Sequence, residues 1–456
     1  MYRKRKMDAT IRDWFAKDGE RPLLVRGARR TGKTSTICHV GEELVGRGFV
    51  MLDFQAEPSV CEQVFSGDTR EVDRIVRTIG DYAGTTLQKE SSLIFLDEVQ
   101  LNERALNALR FFSGSGWHVI ASGSQLGVSA GRRCLPFPSG IKQATMVPFD
   151  FEEFLWALGE APMANAIREH ALSLEPYVLH DRAMQVYQRF LVYGGMPRCV
   201  ELLCEGAAPE RVGEALAEID STYTADMTNP ENGISGVSAL RIWNSLPAQL
   251  LRSSTKKFKY SEVVRGGRRQ RLMEPLEWLA AAGVVVINDM TKDTEFPLVA
   301  FDAEEGSFFK VYMSDTGLMF RKFGINPRQF LSPEIPGFQL SSDFRGALAE
   351  NSVMLALRAN GLRTFYWTPP DSWKAKGEID FLLQTDQAQV VPVEVKSGRN
   401  VRARTLVRFM QEGRSPYAVR LSGEQFGMSQ MGEGGAWLRS LPLYAAFCLD
   451  EGFVRD

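Results

Sequence analysis

The sequence predicts an α/β protein assembled from several units, and three observations carry that reading. Over the first 150 or so residues, short apolar runs alternate with longer stretches of helical periodicity. One of these runs empties directly into a glycine-rich loop at 27–34. Toward the other end, two neighbouring apolar runs carry the acidic residues Asp380 and Glu394. A chain of 456 residues has room for roughly three domains at about 150 residues each, and each can bury a core of its own.

Composition narrows the class. At 44% hydrophobic and 24% charged residues, the chain has an ordinary globular balance, which excludes collagen-like, coiled-coil or extensively disordered architecture. No run approaches the roughly 18 apolar residues of a membrane-spanning helix. The basic start is followed by Asp8, Arg12 and Asp13, where a signal peptide needs an apolar core. The expectation is a cytoplasmic protein with no membrane partner. Lys and Arg number 54 against 56 Asp and Glu, for a net charge of −2, so any surface for nucleic acid must be local. The six cysteines (Cys38, Cys61, Cys134, Cys199, Cys204 and Cys448) form no C-x-x-C, which suits free thiols. The four histidines show no zinc-hydrolase spacing.

Taken in order, the runs at 23–25, 49–52, 93–96 and 118–121 read as buried strands of a parallel sheet. From 149 to 226 the texture is helical, with Phe151, Phe154, Leu155 and Leu158 at the spacing of one helix face. A helix near 237–251, a basic stretch, a helix near 272–282 and strands at 284–287 and 308–312 suggest a winged helix. After a loop containing Pro327, Pro333 and Pro336, a last α/β unit begins near Phe344. The expected boundaries are 1–148, 149–232, 233–325 and 340–456.

Gly27, Ala28, Arg29, Arg30, Thr31, Gly32, Lys33 and Thr34 fit G-x-x-x-x-G-K-[ST], with a strand before and a helical stretch from Ser35 after. Glycines let successive backbone N–H groups curl around phosphate oxygens, and the helix N-terminus adds a favourable dipole. Lys33 would neutralise the β- and γ-phosphates, and the Thr34 hydroxyl would ligate Mg²⁺. The nucleotide-binding set is therefore these eight residues and Ser35. Downstream, the apolar run 92–96 ends in Asp97 and Glu98. Asp97 would hold Mg²⁺, and Glu98 would orient or deprotonate an attacking water. ATP and Mg²⁺ are the expected cofactors.

These motifs, together with Ile120-Ala121-Ser122-Gly123-Ser124-Gln125-Leu126, Pro148-Phe149-Asp150-Phe151-Glu152-Glu153-Phe154-Leu155 and Tyr193-Gly194-Gly195-Met196-Pro197, resemble a group of archaeal and bacterial AAA+-type ATPases. Members join a P-loop domain with a helical lid to a winged helix and a C-terminal nuclease-like domain. The resemblance implies that Ser122 or Ser124 acts as a sensor of the γ-phosphate or attacking water, and that Pro197 lies against the adenine. Arg132 and Arg133 are the candidates for an arginine finger, while Lys142 stands where many relatives carry an arginine. Rings are common among such relatives, so an oligomer fits the resemblance.

Lys256, Lys257, Lys259, Arg265, Arg268, Arg269 and Arg271 form a basic run interrupted by one acid, Glu262. Such a patch can follow a phosphate backbone; the alternative is a solvated loop or a docking face. Farther on, a helix carries Glu350 and two strands, expected to pair, carry Asp380 and Glu394 with Lys396. Glu394 and Lys396 are two apart and share a strand face. Their order resembles the PD-(D/E)xK core of restriction-endonuclease-like domains and Holliday-junction resolvases. It implies that Asp380 and Glu394 bind Mg²⁺, with Glu350 binding directly or through water, while Lys396 activates water or steadies the phosphorane. Trp367, Trp373 and the loop 369–376 flank that site.

The leading expectation is an ATP-hydrolysing AAA+-type protein whose nucleotide state positions a nuclease-like domain on DNA. The alternative is a nucleotide-dependent switch whose nuclease-like domain is inactive and recruits a protein partner.

Overall fold

The computed structural model describes residues 2–124, 139–252, 256–301, 308–331, 341–369, 377–397, 404–412, 415–431, 436–450 and 452–453. Arg132, Arg133, Trp373 and the segment 370–376 lie outside the described residues. The chain divides into two compact units. The first comprises Met1–Val147, Pro230–Ile234 and Ala281–Val284; the second comprises Pro148–Asn229, Ser235–Ala280 and Val285–Asp456. Among the described residues no helix is long and apolar enough to cross a membrane, and Cys38, Cys61, Cys199, Cys204 and Cys448 form no disulfide.

The first unit is built on strands β1 (Leu23–Arg26), β2 (Phe49–Asp53), β3 (Leu93–Asp97), β4 (His118–Gly123) and β5 (Lys142–Thr145). All pair in parallel, in the order β2-β3-β4-β1-β5. Side chains alternate across a sheet with period two, and both faces here are covered. Leu24, Leu52, Ile94, Leu96 and Val119 pack with Ile75, Ile79, Leu106 and Phe112 on one side. Leu23, Val25, Phe95 and Ile120 pack with Ile11, Trp14, Ile37 and Val40 on the other. Two buried faces explain why the runs are continuously apolar. Strand β5 escaped the sequence reading because its polar, half-exposed residues sit at the sheet edge.

In the second unit, helices Phe151–Ala157, Ala161–Ser173, His180–Tyr193, Pro197–Cys204 and Pro209–Thr228 occupy the helical stretch. The first starts with a capping box: Asp150 accepts from the Glu153 nitrogen at 2.8 Å, and Glu153 accepts from the Asp150 nitrogen at 3.2 Å, satisfying two otherwise unpaired donors. Helices Gly236–Arg252 and Arg269–Ala281 follow. Then come β6 (Val285–Thr291), β7 (Phe309–Met313), helix Ser342–Ala359, β8 (Thr364–Trp367), β9 (Ile379–Gln384), β10 (Val390–Val395), helix Arg404–Glu412, β11 (Tyr417–Ser422), β12 (Gly427–Met431) and β13 (Ala436–Pro442).

These strands make one eight-stranded sheet in the order β12-β13-β11-β10-β9-β8-β6-β7. β6 pairs antiparallel with β7 but also parallel with β8. The segments 233–325 and 340–456, separate in the sequence reading, thus share one hydrogen-bonded sheet. Phe365, Trp367, Ile379, Leu382, Leu406, Phe409 and Leu438 form a core on this sheet. The β9–β10 register sets Val393 opposite Phe381, which carries Glu394 to Asp380.

Candidate functional site

The first site lies at the carboxyl ends of β1, β3 and β4. The loop after β1 turns through Gly27 (φ +157°) and Gly32 (φ +94°) into helix Lys33–Val45. At Gly27 a Cβ would stand 2.1 Å from the Met146 carbonyl oxygen, so no larger residue fits there without moving backbone. Lys33 is 4% exposed and donates to the carbonyls of Gly27 and Ala28 at 3.0 and 2.9 Å. Burial pulls its ammonium below the usual lysine range, opposed by Glu98 and Asp97. Thr31 donates to Ala28 O at 2.9 Å. Arg30 and Ser35 are exposed, and Arg29 is half-buried.

Strand order sets the next contacts. β4 lies between β1 and β3, with Val25 beside Ser122 and Leu96 beside Ala121. Ser122 is thereby placed next to Asp97. Its hydroxyl donates to Asp97 Oδ1 and accepts from the Glu98 nitrogen at 3.2 Å. Thr34 donates to Asp97 Oδ2 at 2.8 Å. Glu98 takes a left-handed backbone (φ +56°), and its Oε2 accepts from Ser124 at 3.0 Å and from Gln100. Burial raises the Asp97 carboxyl, with Ser122 and Thr34 opposing and Glu98 and Asp53 adding to the rise. A hydroxyl–carboxylate pair of this kind is a hard-cation donor set, so a half-buried Thr34 and a buried Asp97 are a pair that would fit Mg²⁺. Thr34, Asp97, Ser122, Glu98 and Ser124 are thus brought into one hydrogen-bonded chain at the end of the loop.

Sequence reasoning missed Arg5. Read as part of a basic start, it is 3% exposed and donates to the Thr31 carbonyl at 3.0 Å and the Val147 carbonyl at 2.7 Å, bracing the phosphate loop from behind. Nothing in a run of basic residues distinguishes the one that turns inward.

Pro197 begins helix Pro197–Cys204 in the second unit. The turn before it is tightly held. Gly195 donates to Asp315 Oδ2 at 2.7 Å and accepts from the Phe149 nitrogen at 2.7 Å. Asp315 also accepts from Leu318 N at 2.9 Å.

The second cluster is in the eight-stranded sheet and helix Ser342–Ala359. Glu350, Asp380, Glu394 and Lys396 are assembled there with four residues the sequence reading assigned elsewhere or passed over: Lys256, Lys310, Tyr312 and Glu378. Glu350 is 2% exposed. Its Oε1 accepts from Lys310 at 3.0 Å and Tyr312 at 2.7 Å, and its Oε2 accepts from Lys256. Lys310, fully buried on β7, also donates to Glu378 at 2.7 Å and lies 3.9 Å from Asp380 Oδ1. Asp380 Oδ2 accepts from the Val395 nitrogen at 2.8 Å. Lys396 pairs with Glu394 at 3.1 Å. Glu394 Oε2 is buried with no hydrogen-bond partner among the described residues, its nearest ion-pair contact being Arg420 at 4.0 Å.

Electrostatics follow the lysines. Burial alone would raise Glu350, but Lys256 and Lys310 outweigh it and hold the carboxyl well below the usual range. Burial would lower Lys310, yet Glu350, Glu378 and Asp380 hold its ammonium above. Burial raises Glu378 to about 7 and also raises Asp380 and Glu394. Among the described residues no group of three or more His, Cys, Asp or Glu is arranged to hold a metal ion. Both Glu350 oxygens are already occupied, so the cluster as arranged does not fit Mg²⁺.

The basic run divides. Lys256 binds Glu350, and Lys257 is half-buried with its ammonium 5.8 Å from the Tyr366 ring centre; neither faces outward as a phosphate-tracking patch requires. Lys259 is exposed and pairs with Glu262 at 3.8 Å. Arg265, Arg268 and Arg271 are exposed, and Arg269 is half-buried.

Residues 19–155 match the family described as an AAA domain. Residues 184–329 and 345–432 match two families described as domains of unknown function, DUF8612 and DUF4143. Among curated proteins, none matches the chain. Among solved structures, AMPPCP-bound DnaA from Aquifex aeolicus is 15% identical, covering 60% of this chain and 86% of that one at a TM-score of 0.26. Drosophila ORC bound to DNA is 12% identical over 61% and 86%, at 0.26. PCH-2 of C. elegans is 16% identical over 51% and 61%, at 0.25. The family match and the phosphate loop define the first unit as an AAA+-type P-loop ATPase domain.

Proposed function

We propose that this chain is a Mg²⁺-dependent ATPase that works as a nucleotide-dependent switch, with a C-terminal nuclease-like domain that is inactive in cleavage and recruits a protein partner. The observation that carries the ATPase is the convergence of Thr34, Asp97, Ser122 and Glu98. Backbone N–H groups of the loop and Lys33 hold the phosphates, Thr34 and Asp97 hold the cation, and Glu98 takes the proton of the attacking water. Bound Mg²⁺ would neutralise phosphate charge. Ser124 and Gln100 orient Glu98 through its Oε2.

What supports a switch over a nuclease is the occupation of both Glu350 oxygens by Lys256, Lys310 and Tyr312. A second reading, cleavage of DNA, draws on the buried, unpartnered Glu394 Oε2 beside Asp380 and on exposed Arg265, Arg268 and Arg271.

The test measures ATP turnover with Mg²⁺ in wild type, Lys33→Ala and Glu98→Gln, and in parallel incubates wild type and Asp380→Ala with labelled single-stranded, duplex and branched DNA. The proposal expects turnover lost in both P-loop-domain variants and no cleavage by either protein. Turnover indifferent to Lys33→Ala would refute the ATPase, and cleavage abolished by Asp380→Ala would install the second reading.

A further inference from the structure

In the second unit, helices His180–Tyr193, Pro209–Thr228 and Thr316–Lys322, with the chain that follows the last of them, border a cavity of about 340 Å³. It shares no residue with the phosphate loop or the carboxylate cluster. Its walls are apolar, formed by Val192, Leu216, Phe320, Ile325 and Pro327. A cavity of this size, apolar but for a few polar groups, has the character of a small-molecule site. Those polar groups are not all paired. Tyr193 lines the cavity and is 5% exposed, and its hydroxyl has no hydrogen-bond partner among the described residues. A buried phenol ordinarily has a partner, so this one calls for an acceptor. Burial raises it, opposed by Arg189 and Arg328 and aided by Glu210, and it stays a neutral donor near neutral pH. Of the charged residues on the lining, Glu210 pairs with Arg328 at 3.1 Å. Arg321 is exposed and has no ion pair among the described residues, so the uncompensated charge is positive.

Gly213 keeps one wall open. It shares a face of helix Pro209–Thr228 with Pro209 and Leu216, which also line the cavity. Glycine inside a helix weakens it, and no close approach requires one here, since a Cβ at Gly213 would meet nothing within 4 Å. We infer that this cavity binds a small, mostly apolar carboxylic acid, its apolar body against the walls and its carboxylate accepting from the Tyr193 hydroxyl and drawn to Arg321. A carboxylate supplies both what the phenol lacks and what the guanidinium lacks. The inference depends on neither ATP turnover nor the state of the carboxylate cluster.

The test titrates the full chain with naphthoate, and with its neutral amide as comparator, by isothermal titration calorimetry. Wild type is expected to bind a single naphthoate and to prefer it to the amide by about 10-fold or more, the difference a hydrogen bond to a charged group makes. Tyr193→Phe and Arg321→Ala should each remove most of that preference. Gly213→Phe, which places a ring in the cavity, should abolish binding. Circular dichroism melts establish that each variant is folded, and if Gly213→Phe is not, the other two variants and the amide decide. No binding of naphthoate by wild type at millimolar concentration would overturn the inference, as would affinity unchanged in Tyr193→Phe and Arg321→Ala or in a folded Gly213→Phe. Strict competition between naphthoate and ATP would also overturn it, by giving this cavity to the base of the nucleotide.

Discussion

The Thr34 hydroxyl donates to Asp97 Oδ2 at 2.8 Å, joining the first turn of helix Lys33–Val45 to the end of β3. Neither strand neighbours the other; β4 lies between β1 and β3, so the pair meets across the sheet's carboxyl edge, where parallel α/β sheets bind ligands. Asp97→Asn keeps the shape and removes the charge. ATP turnover is expected to fall by a factor on the order of 10²–10³, while metal-free nucleotide binding, measured by fluorescence titration, changes little. Equal losses of both would mean that Asp97 supports the fold of the loop and not the cation.

Ser122 acts one step farther back. It ties the Asp97 carboxylate to the Glu98 backbone and so sets how both acids face the loop. Ser122→Ala leaves each acid in place but loosens its aim, a change of the kind that costs about 10–100-fold when the supporting partner of a ligand is removed. The loss should fall on kcat, with KM for ATP nearly constant; a rise in KM alone would place Ser122 against bound nucleotide instead.

The contrast between the two sites shows what a linear sequence conveys. The phosphate loop was legible because its chemistry is local: glycines, Lys33 and Thr34 are consecutive, and the flanking strand and helix are visible as periodicity. Asp380, Glu394 and Lys396 were legible because one strand pair brings them together. Lys310 was not, since it lies in the run Phe308-Phe309-Lys310-Val311-Tyr312 and meets Glu378 and Asp380 through the distant parallel pairing of β6 with β8, and Glu350 through helix Ser342–Ala359. A signal was present, for a lysine inside a wholly buried strand requires paired acids. Lys256 was misassigned for the opposite reason: charge density along a chain does not say which lysine turns inward.

Asp315 provides a pH prediction. It is buried, and burial raises its carboxyl to about 6 despite backbone donors from Leu318, Gly195, Gly317 and Met196. A carboxyl raised on folding binds a proton that the unfolded chain has already released, so its contribution is most favourable below the unfolded value, near 3.8, and is lost as pH rises to about 6. A shift of about two units corresponds to roughly 3 kcal/mol. In Asp315→Asn, urea-unfolding free energies between pH 4 and 6 should lose this downward component relative to wild type. An unchanged slope would show that other carboxyls dominate that range.

Lys310 tests the energetic role of the buried cluster. Lys310→Met replaces the ammonium with a side chain of similar length and strands the charges of Glu350, Glu378 and Asp380, all within 4 Å of it in the native fold. Removing one partner of a buried ion pair costs about 3–5 kcal/mol, and that is the expected loss near pH 8. The penalty should shrink as pH falls from 8 to about 7. Glu378, raised to about 7 with Lys310 present, holds its proton to higher pH once the lysine is gone, so over this interval the variant binds a proton that wild type does not, while below about 7 both hold it. Adding Glu350→Gln to Lys310→Met removes one stranded charge and should recover part of the loss at pH 8. A penalty that stays constant from pH 8 to 5 would mean that packing around β7, rather than uncompensated charge, sets the cost.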